Sequence, residues 1–246
     1  MRIAVAGGTG VVGRRTVEAV RAGGHDPIVL SRSHGVDLVT GRGLAGALDG
    51  ADAVIDVASI ETLKASTAIE FFTAATGNLL ATAADAGVGH IVVLSIVGID
   101  RIPYDYYAGK IAQEKLVQAS AIPWTILRAA QFHEFAEQMF ARAKIGPLHV
   151  APRARTQPVA ADEVGRRLAE LAAGGAQGRV RDLAGPREEQ LADMVRAFAR
   201  RTGYRGWIPA LNVPGPQMSG MRAGKALPGA DADLGRQTFA EWLAAR

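Results

Sequence analysis

Short apolar runs alternate with longer amphipathic stretches along the first half of the chain. The runs at 3–6, 28–30, 53–58 and 124–127 predict strands, and the continuous run Ile91-Val92-Val93-Leu94 predicts one covered on both faces. Between them, a helix opens at 11–13 and continues through Val20. A second is expected over 69–86, where Phe72, Ala75, Leu79, Leu80 and Ala83 fall at near-helical spacing and Gly87 and Gly89 stop it. A third is expected over 106–120. Strands alternating with helices in this way predict an α/β fold, a doubly wound parallel sheet with right-handed crossovers. Residues 36–38 are expected to add one more short strand.

The rhythm changes after about residue 131. A helix-like stretch rich in Phe, Met and Ala covers 131–144, followed by a Pro-rich connection (Gly146-Pro147, Pro152, Pro158) around a short run at 148–150. Helices are predicted over 162–173, 188–202 and 237–245, the first with Asp162 near its cap and the last anchored by Trp242 and Leu243. A strand is predicted at 179–183. Residues 209–235 carry Gly, Pro and Met with little periodicity, which predicts a mobile or substrate-covering loop. With no internal repeat and no separating linker, the expected organisation is a core over 1–130 and a C-terminal part over 131–246, interleaved with it in a single continuous domain.

Composition narrows the chemistry. A chain of 246 residues with 48% hydrophobic and 21% charged residues is globular. The net charge of +4 comes without any basic run longer than two residues, which reads as a solvated surface with some help for a phosphate-bearing ligand; no nucleic-acid partner is expected. The absence of cysteine excludes disulfides and thiolate chemistry. No cluster of His, Asp and Glu has metal-ligand spacing, so no metal is expected. The chain opens on a core strand and holds no apolar run of membrane-spanning length, so the expectation is a soluble, cytoplasmic protein with no membrane partner. Its partner is expected to be a small-molecule substrate, and its oligomeric state, monomer or homodimer, stays open.

The first strand runs directly into Gly7-x-x-Gly10-x-x-Gly13 and then a helix, within a βαβ unit of the expected length. This is the pattern of a dinucleotide cradle, formed by Gly7, Thr9, Gly10, Val11, Val12 and Gly13. Gly7 and Gly10 are expected to take backbone angles closed to other residues. Gly10 would also let the main chain approach a pyrophosphate, and Gly13 would let helix pack on strand. Free N–H groups at the helix start would face the phosphates. In such a sheet, ligands lie beyond the carboxyl ends of the strands. There the second strand ends in Ser31-Arg32-Ser33, where an NAD-selective site would hold an acid; an arginine between two hydroxyls suits a 2′-phosphate, so NADP(H) is expected over NAD(H). Ala58 and Ser59 would border the nicotinamide ribose. Ser95 ends a strand, and Tyr106 and Lys110 on the following helix form Tyr-x-x-x-Lys, one turn apart on one face. That spacing lets a cation lower a phenol's pKa while a serine holds a carbonyl. Tyr104 and Tyr107 are close enough to compete with Tyr106.

Gly7-Gly8-Thr9-Gly10-Val11-Val12-Gly13, Ala58-Ser59, Leu94-Ser95-Ile96-Val97-Gly98, Tyr106-Tyr107-Ala108-Gly109-Lys110 and Ile122-Pro123-Trp124-Thr125-Ile126-Leu127-Arg128 together resemble the atypical short-chain dehydrogenase/reductases of the NmrA-like, NAD(P)H-binding group. The match covers about the first 140 residues well and the C-terminal third loosely. It implies a Rossmann-type domain with a small C-terminal substrate-binding part, Lys110 on the nicotinamide ribose, and Asp37 and Leu38 near the adenine. Ser95 and Tyr106 stand slightly closer in sequence than is usual in that superfamily, and some relatives keep the lysine without a working tyrosine.

On the substrate side, Gln131, Phe132 and His133, with Phe135, are expected to line a pocket. Met139, Phe140, Trp207, Met218 and Met221 would supply an apolar lid suited to a quinone or enone, and His133 is an alternative proton donor. Two readings follow: an NADPH-dependent oxidoreductase moving hydride to a small apolar carbonyl, enone or quinone, with Tyr106, Lys110 and Ser95 as its catalytic residues, or an NADP(H)-binding redox sensor without turnover. An epimerase acting on a nucleotide sugar fits less well with the short, apolar C-terminal part.

Overall fold

The computed structural model describes residues 1–102, 105–146 and 148–246. Its strands and helices begin as β1 (Arg2–Ala6), α1 (Val11–Ala22), β2 (Asp26–Leu30), α2 (Leu44–Leu48), β3 (Ala53–Asp56), α3 (Ala65–Asp85), β4 (His90–Ile96), α4 (Asp105–Gln118) and β5 (Trp124–Ala129). They continue with α5 (Phe135–Arg142), α6 (Ala161–Ala173), α7 (Leu191–Arg201), α8 (Pro216–Arg222) and α9 (Phe239–Ala244), with two-residue strands between them. The chain forms two compact units that interleave in sequence. One comprises Met1–Ile96, Tyr104–Arg128 and Ala161–Arg181; the other comprises Val97–Pro103, Ala129–Ala160 and Asp182–Arg246.

The first unit is the doubly wound sheet that the alternation predicts. Strand order is β2-β1-β3-β4-β5, with Gly178–Arg179 also on β5. β1 pairs parallel with β2 and β3, and β3 pairs parallel with β4. Parallel pairing requires crossovers, and the helices that make them cover apolar strands: Ile3, Val5, Val54, Ile55, Ile91 and Val92 are fully buried. Two helix contacts are unusually close. A β-carbon on Gly109 of α4 would lie 2.7 Å from the backbone of Ala68 in α3, and one on Gly165 of α6 would lie 2.7 Å from the backbone of Arg15 in α1.

In the second unit, α7 packs against α5 and α9. Ala136, Met194, Phe198, Phe239 and Trp242 form an apolar cluster within it. Thr238 caps α9, accepting from the Glu241 N–H while the Glu241 carboxylate accepts from the Thr238 N–H. Short strand pairs complete it: Arg155–Thr156 with Glu189–Gln190, Ala151–Pro152 with Ala210–Leu211, and Leu183–Ala184 with Asp233–Leu234.

Several expectations are corrected. Residues 36–38 form no strand: Val36 is buried in the core, and the Asp37 carboxylate accepts from the N–H groups of Val39 and Thr40, which turns the chain. The stretch 131–144 becomes helical only at Phe135. The strand expected over 179–183 is two separate pieces, Gly178–Arg179 in the first unit and Leu183–Ala184 in the second. The stretch 209–235, read as a loop, contains α8 and two short strands; Met218 and Met221 are buried and Gly220 sits against Ile102. Seven residues opening on Gly215-Pro216 are too few to show a helical period.

Because Gly109 meets backbone rather than a movable side-chain tip, Gly109→Ala must push α3 and α4 apart. It is expected to cost about 1–3 kcal/mol of stability in urea denaturation, the range for overpacking a tight contact.

Candidate cofactor site

β1 ends at Ala6, and the chain turns through Gly7, whose φ of +78° is a left-handed conformation that favours glycine. Its N–H donates to the Leu30 carbonyl at 3.0 Å, and its own carbonyl accepts from the Gly10 N–H at 2.9 Å. A β-carbon on Gly7 would lie 2.8 Å from Cα of Ala58, and one on Gly13 would lie 2.1 Å from the Gly7 carbonyl oxygen. These glycines therefore permit a three-way backbone contact among the turn, α1 and the residues after β3. Gly10 is different from expectation. Its φ of −72° is open to any residue, so no conformational demand explains that glycine. α1 begins there with no side-chain cap and no acid in its first turn, which leaves its N–H groups available to an anion. Thr9, Gly10 and Val11 are exposed beside it, and Val12 is buried.

At the end of β2, Arg32 lies in a short 3₁₀ turn and is exposed. Ser31 Oγ is 2.9 Å from Ser33 Oγ and 2.8 Å from His34 Nδ1. The following turn is pinned by Asn78 of α3, which donates to the carbonyls of Leu38 and Val39. Asp37 is committed to that turn through the two N–H groups it accepts.

β3 stops two residues earlier than expected because Asp56 takes the Ala58 N–H at 2.9 Å, bending the chain. Ser59 then projects into solvent and pairs with Tyr106, Oγ to Oη 2.8 Å. Tyr106 is half-buried, its ring edge-on to Phe72, whereas Tyr107 is buried; Tyr104 lies outside the described residues.

Lys110 is buried, with 4% exposure. Its ammonium donates to the Leu94 carbonyl at 2.6 Å and to Gln113 Oε1, and it lies 4.8 Å from the centre of the Phe72 ring. Burial pushes its pKa down to about 8, against the opposing pull of Asp56 and Glu114. Burial likewise raises the Asp56 carboxyl, countered by Lys110 and by hydrogen bonds from Ala58, Gln113 and Thr76.

Ser95 is also buried, its hydroxyl beside the Glu114 carboxylate. Glu114 receives two bonds from Arg128, both 2.8 Å. Burial would raise its pKa, but Arg128, Ser95 and the charge of Arg179 hold it below the ordinary value.

The three residues expected on the substrate side belong to the second unit. Gln131 accepts from the Thr156 hydroxyl at 2.9 Å, and Phe132 bridges to Val159. His133 is fully buried, its Nε2–H donating to the Gln237 carbonyl at 3.1 Å, with Phe239 and Trp242 against its ring. Of the expected lid residues, Met218 and Met221 are buried and Trp207 is 75% exposed.

Asp56, Thr76, Gln113, Glu114 and Arg128 did not stand out in sequence. Two signals were available: an acid inside the apolar run 53–58, and a glutamine three residues after Lys110, on the same helical face. Among the described residues no group of three His, Asp or Glu converges on a metal position, and no helix is long and apolar enough to cross a membrane.

A family model described as NAD(P)H-binding matches residues 7–173, more than half of the chain. The chain belongs to the NAD(P)H-binding family. No curated protein matches its sequence. Among solved structures, the NADPH-dependent quinone oxidoreductase of Escherichia coli, complexed with NADPH, aligns at TM-score 0.74 and 18% identity over 99% of both chains. The UDP-N-acetylglucosamine 4-epimerase of Bacillus cereus aligns at 0.72 and 19% identity, over 100% of this chain and 96% of its own. The dTDP-glucose 4,6-dehydratase of Streptomyces venezuelae, with NAD bound, aligns at 0.71 and 20% identity, over 100% and 95%. At these identities the likeness is one of fold.

Arg128→Met leaves the Glu114 carboxylate buried without its directly paired cation, and is expected to cost about 3–5 kcal/mol at neutral pH. In the native protein, Glu114 adds stability above its ordinary pKa of 4.5 that is lost as pH falls through its lowered value. In the variant its pKa is raised by burial, so acid relieves the penalty. Urea titrations from pH 7 toward pH 4.5 should therefore show the two proteins converging.

Proposed function

We propose that the protein is an NADPH-dependent oxidoreductase that passes hydride to a small apolar carbonyl, enone or quinone, with Tyr106 as proton donor. The observation that carries this reading is the Tyr106–Ser59 hydroxyl pair, which holds a half-buried phenol against the residue that follows the Ala58 contact with the glycine turn. The cradle suits a dinucleotide: α1 starts uncapped, and no side chain is tolerated at Gly7 or Gly13. Bound NADPH would supply a hydride from its nicotinamide C4 to the substrate carbon. Tyr106 gives its proton to the oxygen that gains the electron pair, and the Ser59 hydroxyl then donates to the phenolate left behind. Lys110, one turn along α4 from Tyr106, adds a positive charge that favours that phenolate. Ser95 is buried, with 2% exposure, and takes no part in this step. The same fold in an NADPH-dependent quinone oxidoreductase supports the acceptor class.

Arg32 is proposed to take the 2′-phosphate, flanked by Ser31 and Ser33. Arg32→Ala should weaken NADPH binding by about 10–100-fold, the worth of one charge-assisted contact, and leave NADH binding within about twofold. Equal losses for the two would remove the preference.

The deciding assay follows NADPH oxidation against quinones, enones and aldehydes for the wild type and Tyr106→Phe. Loss of about 100-fold or more in turnover with unchanged NADPH affinity is expected if Tyr106 is the acid. A second reading, an NADP(H)-responsive regulator, draws on the burial of Lys110 and Ser95, which leaves Tyr106 as the accessible member of the expected catalytic set. Its mark is unequal affinity for NADPH and NADP+ with no turnover across the panel.

A further inference from the structure

We infer that Asp56 and Gln113 are positioning residues of the cofactor site, forming a buried polar bridge that fixes both the turn at 57–59 and the ammonium of Lys110. This rests on the reading of the glycine turn as the NAD(P)H cradle. Inside the protein, the Lys110 ammonium donates to the Leu94 carbonyl and to Gln113 Oε1 and lies over the face of Phe72.

The bridge has one consistent orientation. An ammonium only donates and a carboxylate only accepts, so Gln113 must turn its oxygen to Lys110 and its NH2 group to Asp56. Accordingly, Nε2 donates to Asp56 Oδ2 at 2.8 Å and to Thr76 Oγ1 at 3.2 Å. Asp56 passes the constraint on: its Oδ1 holds the Ala58 N–H, and Ala58 lies directly against Gly7. The next residue, Ser59, is tied to Tyr106 on the helix that carries Gln113 and Lys110. Two ties therefore join the turn to α4, Asp56–Gln113 inside and Ser59–Tyr106 at the surface. Cutting the inner one leaves the turn tied to α4 through an exposed hydroxyl pair.

The test is NADPH affinity, read by fluorescence titration of the full chain from pH 6 to pH 9, as the ratio of each variant's Kd to that of the wild type at the same pH. In Gln113→Glu, a protonated acid reproduces the amide, its carbonyl toward Lys110 and its O–H toward Asp56. Once ionised, it sets a second carboxylate against Asp56, with Lys110 and the Thr76 hydroxyl also facing it and Glu114 acting on Lys110 by charge. Two such carboxyls share a proton whose loss is delayed to higher pH. The Gln113→Glu ratio should therefore climb from within about threefold at pH 6 to at least about tenfold at pH 9. Gln113→Leu, which cannot form the bridge, should be at least about tenfold weaker at every pH. A role in packing alone would give the same ratio at all pH values. A flat ratio for Gln113→Glu, or wild-type affinity in folded Gln113→Leu, overturns the inference. Thermal melting at each pH establishes that the variants are folded; if Gln113→Leu is not, the pH trend of Gln113→Glu decides alone. Since binding needs no turnover, the result stands even if no acceptor is reduced. A wild type that fails to bind NADPH would overturn the cradle reading and this inference together.

Discussion

Backbone meets backbone where β1, α1 and the end of β3 converge, and the rest of the first unit is arranged to permit it. A β-carbon at Gly7 or Gly13 would lie 2.8 or 2.1 Å from main-chain atoms, not from the movable tip of a side chain. Neither position can be relieved by a rotamer change. The same economy recurs at Gly109 and Gly165, where helices meet at backbone distance. Such contacts bring the start of α1 to the sheet edge with its N–H groups uncapped, the geometry that phosphate binding at a helix start requires. The glycines thus serve different ends: a left-handed turn at Gly7 and close packing at Gly13, whereas Gly10 keeps an ordinary backbone conformation.

Behind that contact lies a layer of buried charge. Asp56, Lys110, Glu114 and Arg128 are all nearly inaccessible, and a charge removed from water is tolerated only when it is paired and fully hydrogen-bonded. Here the pairing alternates. Glu114 and Arg128 meet directly through two bonds, whereas Asp56 and Lys110 are joined across a neutral amide. The direct pair holds Glu114 firmly ionised. The bridged pair is weaker, and burial still draws Lys110 down to about 8 and Asp56 upward. α4 carries Tyr106, Lys110, Gln113 and Glu114 within three turns, so one helix ties the sheet's carboxyl edge to its interior.

What the sequence made legible follows from period and spacing. Parallel strands covered on both faces write themselves as continuous apolar runs, and the glycine triplet between strand and helix marked the cradle. Elements set by a few side-chain bonds left no such trace. Asp37, as an Asx turn, replaced the strand expected at 36–38, and Asp56 ended β3 two residues early. α8 depends on burying two methionines within seven residues, below the length at which periodicity can be read. Tyr106 and Lys110 share a helical face as their spacing required, but spacing is blind to what waits there: Ser59 for the phenol, and a carbonyl, an amide and a ring for the ammonium.

That difference bears on how chemistry could arise in this fold. A lysine free at the surface can serve a ligand directly, but its geometry is set only once the ligand arrives, and the ordering costs entropy at that moment. A lysine fixed beforehand by Leu94 and Gln113 can give a field that needs no reorganisation when a proton moves at Tyr106. The cost is borne in folding instead, as the desolvation that lowers its pKa. The polar bridge to Asp56 is what makes that burial tolerable, and it also links the charge of Lys110 to the backbone turn on which Gly7 rests. One buried network therefore carries both the charge of Lys110 and the hydrogen bond that shapes the turn at Ala58.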